Sequence, residues 1–338
     1  MTVTHRDAIE TLFQMHMGFV RSACFYAAAK LEVADLLADG PKPVEHVAKA
    51  TGVDVAMLYR VLRYLASDGV FEERAGREFA LTPLSQMLRT DVEGSFHPFA
   101  VVNSENGFEI APQLLPGMRD REIPFVKRFG KHPFEILLKD PGSAALLERA
   151  WQGVHGPETP AVLDAYDFTG IRKLADIGGG HGDVLVGFLE RDPSRTGAIF
   201  DIPPVAAQMR KRLDAAGLAA RCEVIAGDFF KEIPVDADAY FLRHILHDWN
   251  DEECRTILRN IAARCRAGAR VLIAECVIKA PNTPDLGKLL DMQMLLFLSG
   301  WERTEREYRA LLESTGFELA GVVPTDSMVS IVEGRFRG

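Results

Sequence analysis

The chain reads as an α/β protein. A Rossmann-like, doubly wound and mostly parallel sheet fills its carboxyl-terminal half, behind a mainly α amino-terminal winged helix. Three observations predict this. From about residue 164, apolar strands alternate with amphipathic helical stretches, the pattern of right-handed crossovers in a parallel sheet. One strand ends in an acid and runs into a glycine-rich turn over residues 174–182 before a helical stretch at 184–189. The first part of the chain, up to about Leu88, has another rhythm, helices followed by a hairpin.

In that first part, Val44–Thr51, Gly52 and Val55–Ser67 have helix-turn-helix spacing, with Leu58, Val61, Leu62 and Leu65 on one face of the second helix. Residues 70–73 and Glu78–Leu81, split by Ala75-Gly76, form the wing. A winged helix raises the question of DNA. From Lys30 to Thr90, eight Lys or Arg stand against nine Asp or Glu, and the second helix offers only Arg60 and Arg63. No basic stripe results, so a DNA-binding regulator is disfavoured and a packing or dimerisation scaffold is expected. Residues 13–37, rich in Ala, Met and Phe, supply either that interface or internal core.

The formal net charge of -9 over 338 residues also argues against a nucleic-acid partner. The first ten residues are polar and of mixed charge, unlike a signal peptide, and the apolar stretch 289–298 is too short to span a bilayer. Cys24, Cys222, Cys254, Cys265 and Cys276 show no metal-ligand spacing. Reduced thiols, a cytoplasmic location and no metal are the expectation.

In the second part the expected strands are Lys173–Ile177, 198–201, 223–226, 239–242 and 270–274. The clearest helix runs over 251–266, with Cys254, Ile257, Leu258, Ile261, Ala262 and Cys265 on one face. Acids fill its first turn, arginines its last, and Gly268 follows as a stop. Ligands in such sheets bind beyond the carboxyl ends of the strands. Reading those ends in turn yields Asp176, Asp201, Asp228, then Arg243 and His247, then Glu275.

Gly178 and Gly180 fit the start of the dinucleotide fingerprint, but its third glycine falls on Asp183. Asp176 and Asp183 flank the turn with negative charge, which would repel a pyrophosphate. S-adenosylmethionine has a cationic amine and sulfonium and no phosphate, and tolerates them. Asp201 is placed to take both ribose hydroxyls; NAD would want an acid there too, so it does not choose between cofactors.

With D-I-G-G-G-H-G (176–182), F-D-I-P (200–203), G-D-F-F (227–230), L-R-H-I-L-H-D-W-N-D-E (242–252), A-E-C (274–276) and W-E-R-T (301–304), the chain resembles the class I S-adenosylmethionine-dependent O-methyltransferases. More narrowly it is similar to the caffeate/acetylserotonin type with an amino-terminal dimerisation domain. The resemblance implies a dimerisation domain over 1–100, connecting helices over 101–163 that contribute to a substrate pocket, and a cofactor-binding methyltransferase domain over 164–338. It implies a homodimer, S-adenosylmethionine as cofactor with S-adenosylhomocysteine as product, and a small phenolic acceptor.

Asp176, Gly178 and Gly180 are expected to bind the cofactor, and the resemblance places Gly178 at its methionine part. Asp201 would meet the ribose, Asp228 and Phe229 the adenine, and Arg243 stands where a lysine is usual near the cofactor. His247 matches the general base, with Glu275 and Glu302 the two acids that brace it. Asp248 is read as ordering the turn. His244 and Trp151 stand at acceptor positions filled in plant members by tryptophan and methionine, and His181 replaces a threonine of the glycine loop. The cluster Met292, Met294, Phe297 and Trp301 is core packing by default. Part of it, Met294 foremost, is expected to line an apolar acceptor pocket with Phe134.

Methyl transfer to a phenol is an in-line displacement, in which holding the reactants in line is worth roughly 7–11 kcal/mol. The phenol proton must also leave. A phenol near pKa ~10 and a histidine near ~6.5 differ by about 3.5 units, or about 5 kcal/mol, unless nearby carboxylates favour the imidazolium. N-methylation, or a relative turned to hydroxylation or decarboxylation, uses the same fold and stays open at this level.

Overall fold

The computed structural model describes residues 4–137 and 149–338. The chain divides into two compact units, Met1–Pro112 with Phe134–Gly156, and Gln113–Pro133 with Pro157–Gly338. The connecting segment expected over 101–163 is therefore not a layer of its own. Among the described residues, helix His97–Ile110 falls in the first unit, and Leu114–Asp120, Pro124–Phe129 and Glu158–Ala165 in the second.

In the first unit, helices Val44–Thr51 and Val55–Ser67 and strands β1 (Lys42–Pro43), β2 (Phe71–Arg74) and β3 (Glu78–Leu81) build the winged helix. β3 lies between β1 and β2, antiparallel to both. Asp54 caps the second helix by accepting from the Met57 N–H at 2.8 Å. Leu58, Leu62 and Leu65 face Val44, Val47, Phe71 and Phe79 in one core. The apolar stretch 13–37 divides: Ala28, Ala29, Val33, Ala34 and Leu37 are buried, whereas Phe13, Met15 and Phe19 are exposed. Helix His5–His16 buries nothing and also exposes Ile9 and Leu12.

The second unit carries a seven-stranded sheet of order β6-β5-β4-β7-β8-β10-β9. Its members are β4 (Lys173–Ile177), β5 (Thr196–Asp201), β6 (Cys222–Ala226), β7 (Ala239–Arg243), β8 (Arg270–Glu275), β9 (Phe317–Pro324) and β10 (Ser330–Phe336). β4 to β8 run parallel. β10 is antiparallel to both β8 and β9, and this closing pair was not anticipated. Successive residues supply opposite faces. Leu174, Ile199, Phe241, Leu272 and Ile331 enter one core, and Ala175, Phe200, Leu242, Ile273 and Val332 the other. Both faces are covered, as a parallel sheet requires.

The expected strands form with boundaries moved by a residue or two, the largest being β5, which starts at Thr196. Helix Asp251–Ala262 is a turn shorter than its pattern; the chain leaves it at Ala263, and Arg264 pairs with Asp236 at 2.7 Å. Asn250 caps its start in a reciprocal box with Glu253. Among the described residues no helix is long and apolar enough to cross a membrane.

Candidate active site

The order of strands reverses at β4, whose neighbours β5 and β7 lead in opposite directions; in such sheets ligands bind beyond the strand ends at this point. Gly178, Gly180 and Gly182 all have positive φ (67°, 54° and 66°). A side chain at Gly178 would strike Ile245 (2.5 Å), so the loop after β4 lies against the loop after β7. At Gly180 a side chain would meet nothing within 4 Å. The space beside its Cα is therefore open.

Asp201 takes the Gly180 N–H on Oδ2 at 2.9 Å and the Ile202 N–H on Oδ1 at 2.7 Å. A carboxylate has about four lone-pair sites, so two remain for hydroxyls. Burial raises its pKa, against the pull of these two backbone N–H groups. Asp176 occupies another place than expected. Its carboxyl is buried beneath Gly179, where a side chain would collide with it. Burial, opposed by Arg243, lifts it to about 7. It supports the loop from below.

Asp183 pairs with Arg212 at 2.6 Å and lies 4.0 Å from Arg243; Arg212 also donates to the His181 carbonyl. The negative collar read from Asp176 and Asp183 is thus largely compensated, and repulsion of a pyrophosphate loses its force as an argument. Arg243 further donates to Thr159 Oγ1 at 2.9 Å. Phe229 faces Gly178, and Asn260 holds the Phe229 carbonyl at 2.8 Å. Asp228 is half-exposed, accepts from the Phe230 N–H at 3.0 Å and lies 3.4 Å from Lys231 Nζ. Residues 178–180, 201, 228–229 and 243 together fit an adenosine-bearing cofactor. Replacing Asp201 by alanine is expected to weaken S-adenosylhomocysteine binding by about 10–100-fold, the worth of charge-assisted hydrogen bonds. Titration calorimetry measures it, and an unchanged affinity would remove Asp201 from the site.

His247 lies on the short turn after β7. It is buried, and its Nδ1 is 2.7 Å from Glu302 Oε1. An ionised carboxylate only accepts, so in the neutral ring Nδ1 carries the proton and Nε2 holds the lone pair. Asp248 Oδ1 approaches that Nε2 at 3.4 Å. Burial disfavours the imidazolium, but Asp248, Glu302 and Glu275 overcome it and hold the ring at about 9. Burial likewise lifts Asp248, to about 7, against the attraction of His247.

The two bracing acids have different tasks. Glu302 holds the ring. Glu275 does not touch it: Oε1 accepts the N–H groups of Ile245, Leu246 and His247 at 3.1, 2.6 and 3.2 Å, and Oε2 accepts the Tyr308 hydroxyl. Its brace is through the backbone of the turn. Asp248 also differs from its reading, since Asn250 caps the following helix and Asp248 faces the imidazole instead.

Of the expected acceptor residues, His244 is buried, has φ 53°, and its Nε2 is 2.8 Å from Glu158 Oε2. Its ring is tilted against His247 at 5.0 Å, and burial with His247 nearby keeps it well below the usual histidine range. Met294 is buried on helix Leu286–Phe297, from which Met292 is turned outward. Phe297 packs on Phe125 at 5.8 Å, and Trp301 lies under the Arg303 guanidinium. Trp151 and Phe134 belong to the first unit, where Trp151 packs on Phe99 at 5.3 Å. Sequence reasoning gave no role to Glu158, Gly300, Arg303 or Tyr308; for Gly300 and Arg303 the only signal was adjacency to Trp301-Glu302.

A glycine loop after the first strand of such a sheet, an acid after the second and a histidine–carboxylate pair after the fourth define a class I methyltransferase. Residues 112–318 match the O-methyltransferase domain family, and residues 13–91 the O-methyltransferase dimerisation domain. The chain belongs to this O-methyltransferase family and is an S-adenosylmethionine-dependent enzyme. It is 40% identical to phenazine O-methyltransferase PhzM of Lysobacter antibioticus, over 96% of this chain and 95% of that one. It is 35% identical to the mitomycin biosynthesis 6-O-methyltransferase of Streptomyces lavendulae, over 99% and 96%. Human N-acetylserotonin methyltransferase, solved in complex with S-adenosylmethionine, superposes with a TM-score of 0.88 at 26% identity, covering 100% of both chains.

Proposed function

We propose that the enzyme methylates a hydroxyl on a small, planar aromatic metabolite, with His247 as general base. The observation that carries this is the buried Nδ1–Glu302 pair, which leaves Nε2 to accept a proton. S-adenosylmethionine, when bound, supplies a methyl carbon made electrophilic by its sulfonium. The residues of the chain hold the acceptor and move its proton. His247 takes the phenolic proton at Nε2, and Glu302 and Asp248 balance the imidazolium that results. With the ring raised to about 9, it lies closer to a phenol near ~10 than a free histidine does, so proton transfer costs less. Glu275 keeps the turn in place.

A neutral aromatic amine attacks through its lone pair without prior deprotonation, so it gains little from this pair. Hydroxyl transfer is accordingly the better match. His244 and Met294, beside the base and on helix Leu286–Phe297, are proposed to shape the acceptor site; Phe134 and Trp151 are proposed for acceptor choice on the family resemblance alone. The exposed apolar residues of helix His5–His16, with Phe19, are proposed to meet a second copy in a homodimer. Five free cysteines support a cytoplasmic place.

A screen of planar hydroxyaromatics and matched aminoaromatics with methyl-labelled cofactor tests the acceptor class. Label is expected on oxygen, and in the hydroxy series only. Turnover confined to the amines would reject hydroxyl chemistry.

A further inference from the structure

We propose that Arg303 is a positioning residue that locks the turn bearing His247 to the segment bearing Glu302, and so sets the distance between base and acid. This rests on the reading of His247 as the base.

Arg303 is among the largest fully buried side chains of the protein, and all five of its N–H groups have an oxygen to reach. Nη1 donates to the carbonyls of Leu246 (3.0 Å) and Trp301 (3.2 Å). Nη2 donates to the Trp249 carbonyl and to Asp251 Oδ1, both at 3.0 Å, and Nε donates to the same Asp251 oxygen at 3.1 Å. Two of these carbonyls flank His247, and a third belongs to the residue before Glu302. One planar group therefore spans two segments more than fifty residues apart in sequence.

Glu275 completes the arrangement from the other side. It binds the N–H groups of 245–247, while Arg303 binds the carbonyls of 246 and 249. Opposite buried charges thus hold the two ends of the Leu246–His247 peptide, Glu275 its N–H and Arg303 its carbonyl. The directions of adjacent side chains finish the argument: Glu302 reaches the ring, and Arg303 reaches the backbone beneath it. Lysine has three donors on a point charge and cannot reproduce this fork.

The test is Arg303→Lys in the full-length protein, with 15N-labelled histidine for the His247 Nδ1–H resonance. Binding of S-adenosylhomocysteine, expected to stay within a few-fold of wild type, establishes that the variant is folded. Expected results are loss of the hydrogen-bonded Nδ1–H signal and a kcat lower by about 100-fold, the effect of displacing a catalytic group by about 1 Å. The acid limb of kcat/KM should move down by about one unit as the Glu302 charge withdraws from the ring, with the acceptor KM little changed. Should lysine not fold, Arg303→Gln, whose neutral amide is easier to bury, carries the same readouts. A folded variant that keeps both the resonance and the pH limb overturns the proposal, even if its kcat falls. The resonance reports the pair whether or not His247 is the base. Failure of that reading would show separately, as a His247→Ala enzyme with near-normal turnover.

Discussion

Replacing His247 by alanine is expected to lower kcat by about 10³-fold, within the range that a positioned base contributes, while S-adenosylhomocysteine binds as before. The residues that would hold the cofactor lie on the loops after β4, β5 and β6 and at Arg243, and none uses the imidazole. The pH profile should change with it. The ring sits at about 9, and only its neutral form accepts a proton. Wild-type kcat/KM should therefore rise close to tenfold per pH unit below about 9 and level off above it. Activity is lost as pH falls through the pKa, because the imidazolium has no lone pair at Nε2. In the alanine enzyme this limb should vanish. Glu302→Gln removes one of the charges that raise the ring and should shift the limb to lower pH with a lower plateau. Stopped-time assays with labelled cofactor across pH 6 to pH 10 read all three. A wild-type profile flat over that range would sink proton transfer to His247, leaving positioning to account for catalysis.

The second large effect is expected from Gly300→Ala. A β-carbon there would overlap the His247 carbonyl, the Trp249 N–H and the Asp248 backbone, inside any permitted contact. These are backbone atoms of a turn already held by Glu275 and Arg303, so none can rotate aside. Either segment 299–301 or the turn must shift. Overpacking costs about 1–3 kcal/mol where side chains can adjust, and the upper end applies here. For a unit of this size that lowers Tm by about 5–10 °C. Because the shift separates His247 from Glu302, kcat should also fall by about 100-fold. Differential scanning calorimetry and turnover on the same preparation measure both. A variant with unchanged Tm and kcat would mean that the close approach at Gly300 is not a constraint.

Much of this was readable beforehand, and the reasons are specific. The winged helix was legible because apolar spacing in Val55–Ser67 and the Ala75-Gly76 turn are local signals. The five parallel strands were legible because each is a short apolar run followed within a few residues by a polar group or turn, with helical spacing between them. β9 and β10 were missed: they form a hairpin, but its place in the sheet is set by β10 pairing with β8, more than fifty residues earlier in the chain. The helix expected over 251–266 ran long because its periodic pattern continues past the point where Arg264 turns to Asp236. In the site, the proposed base and both glutamates stand in contiguous motifs, H-D-W, A-E-C and W-E-R-T. Their division of labour was not legible, since nothing in A-E-C or W-E-R-T says which acid meets an imidazole and which meets three amides. Likewise, Asp183 looked like a bare negative charge until Arg212, on another helix, was seen to pair with it.

The sequence by itself determined the sheet, the glycine loop and the candidate base. Glycine turns, strand–helix alternation and short motifs act over a few residues, and their physics is written where they stand. Tertiary structure alone decided that Glu302 holds the ring, that Glu275 and Arg303 hold the backbone beneath it, and that Gly300 must have no side chain. Those relations exist only when residues 245–251, 275 and 300–308 are brought together. Burial then makes each charge seek the nearest complementary group, and only the folded chain says which group that is.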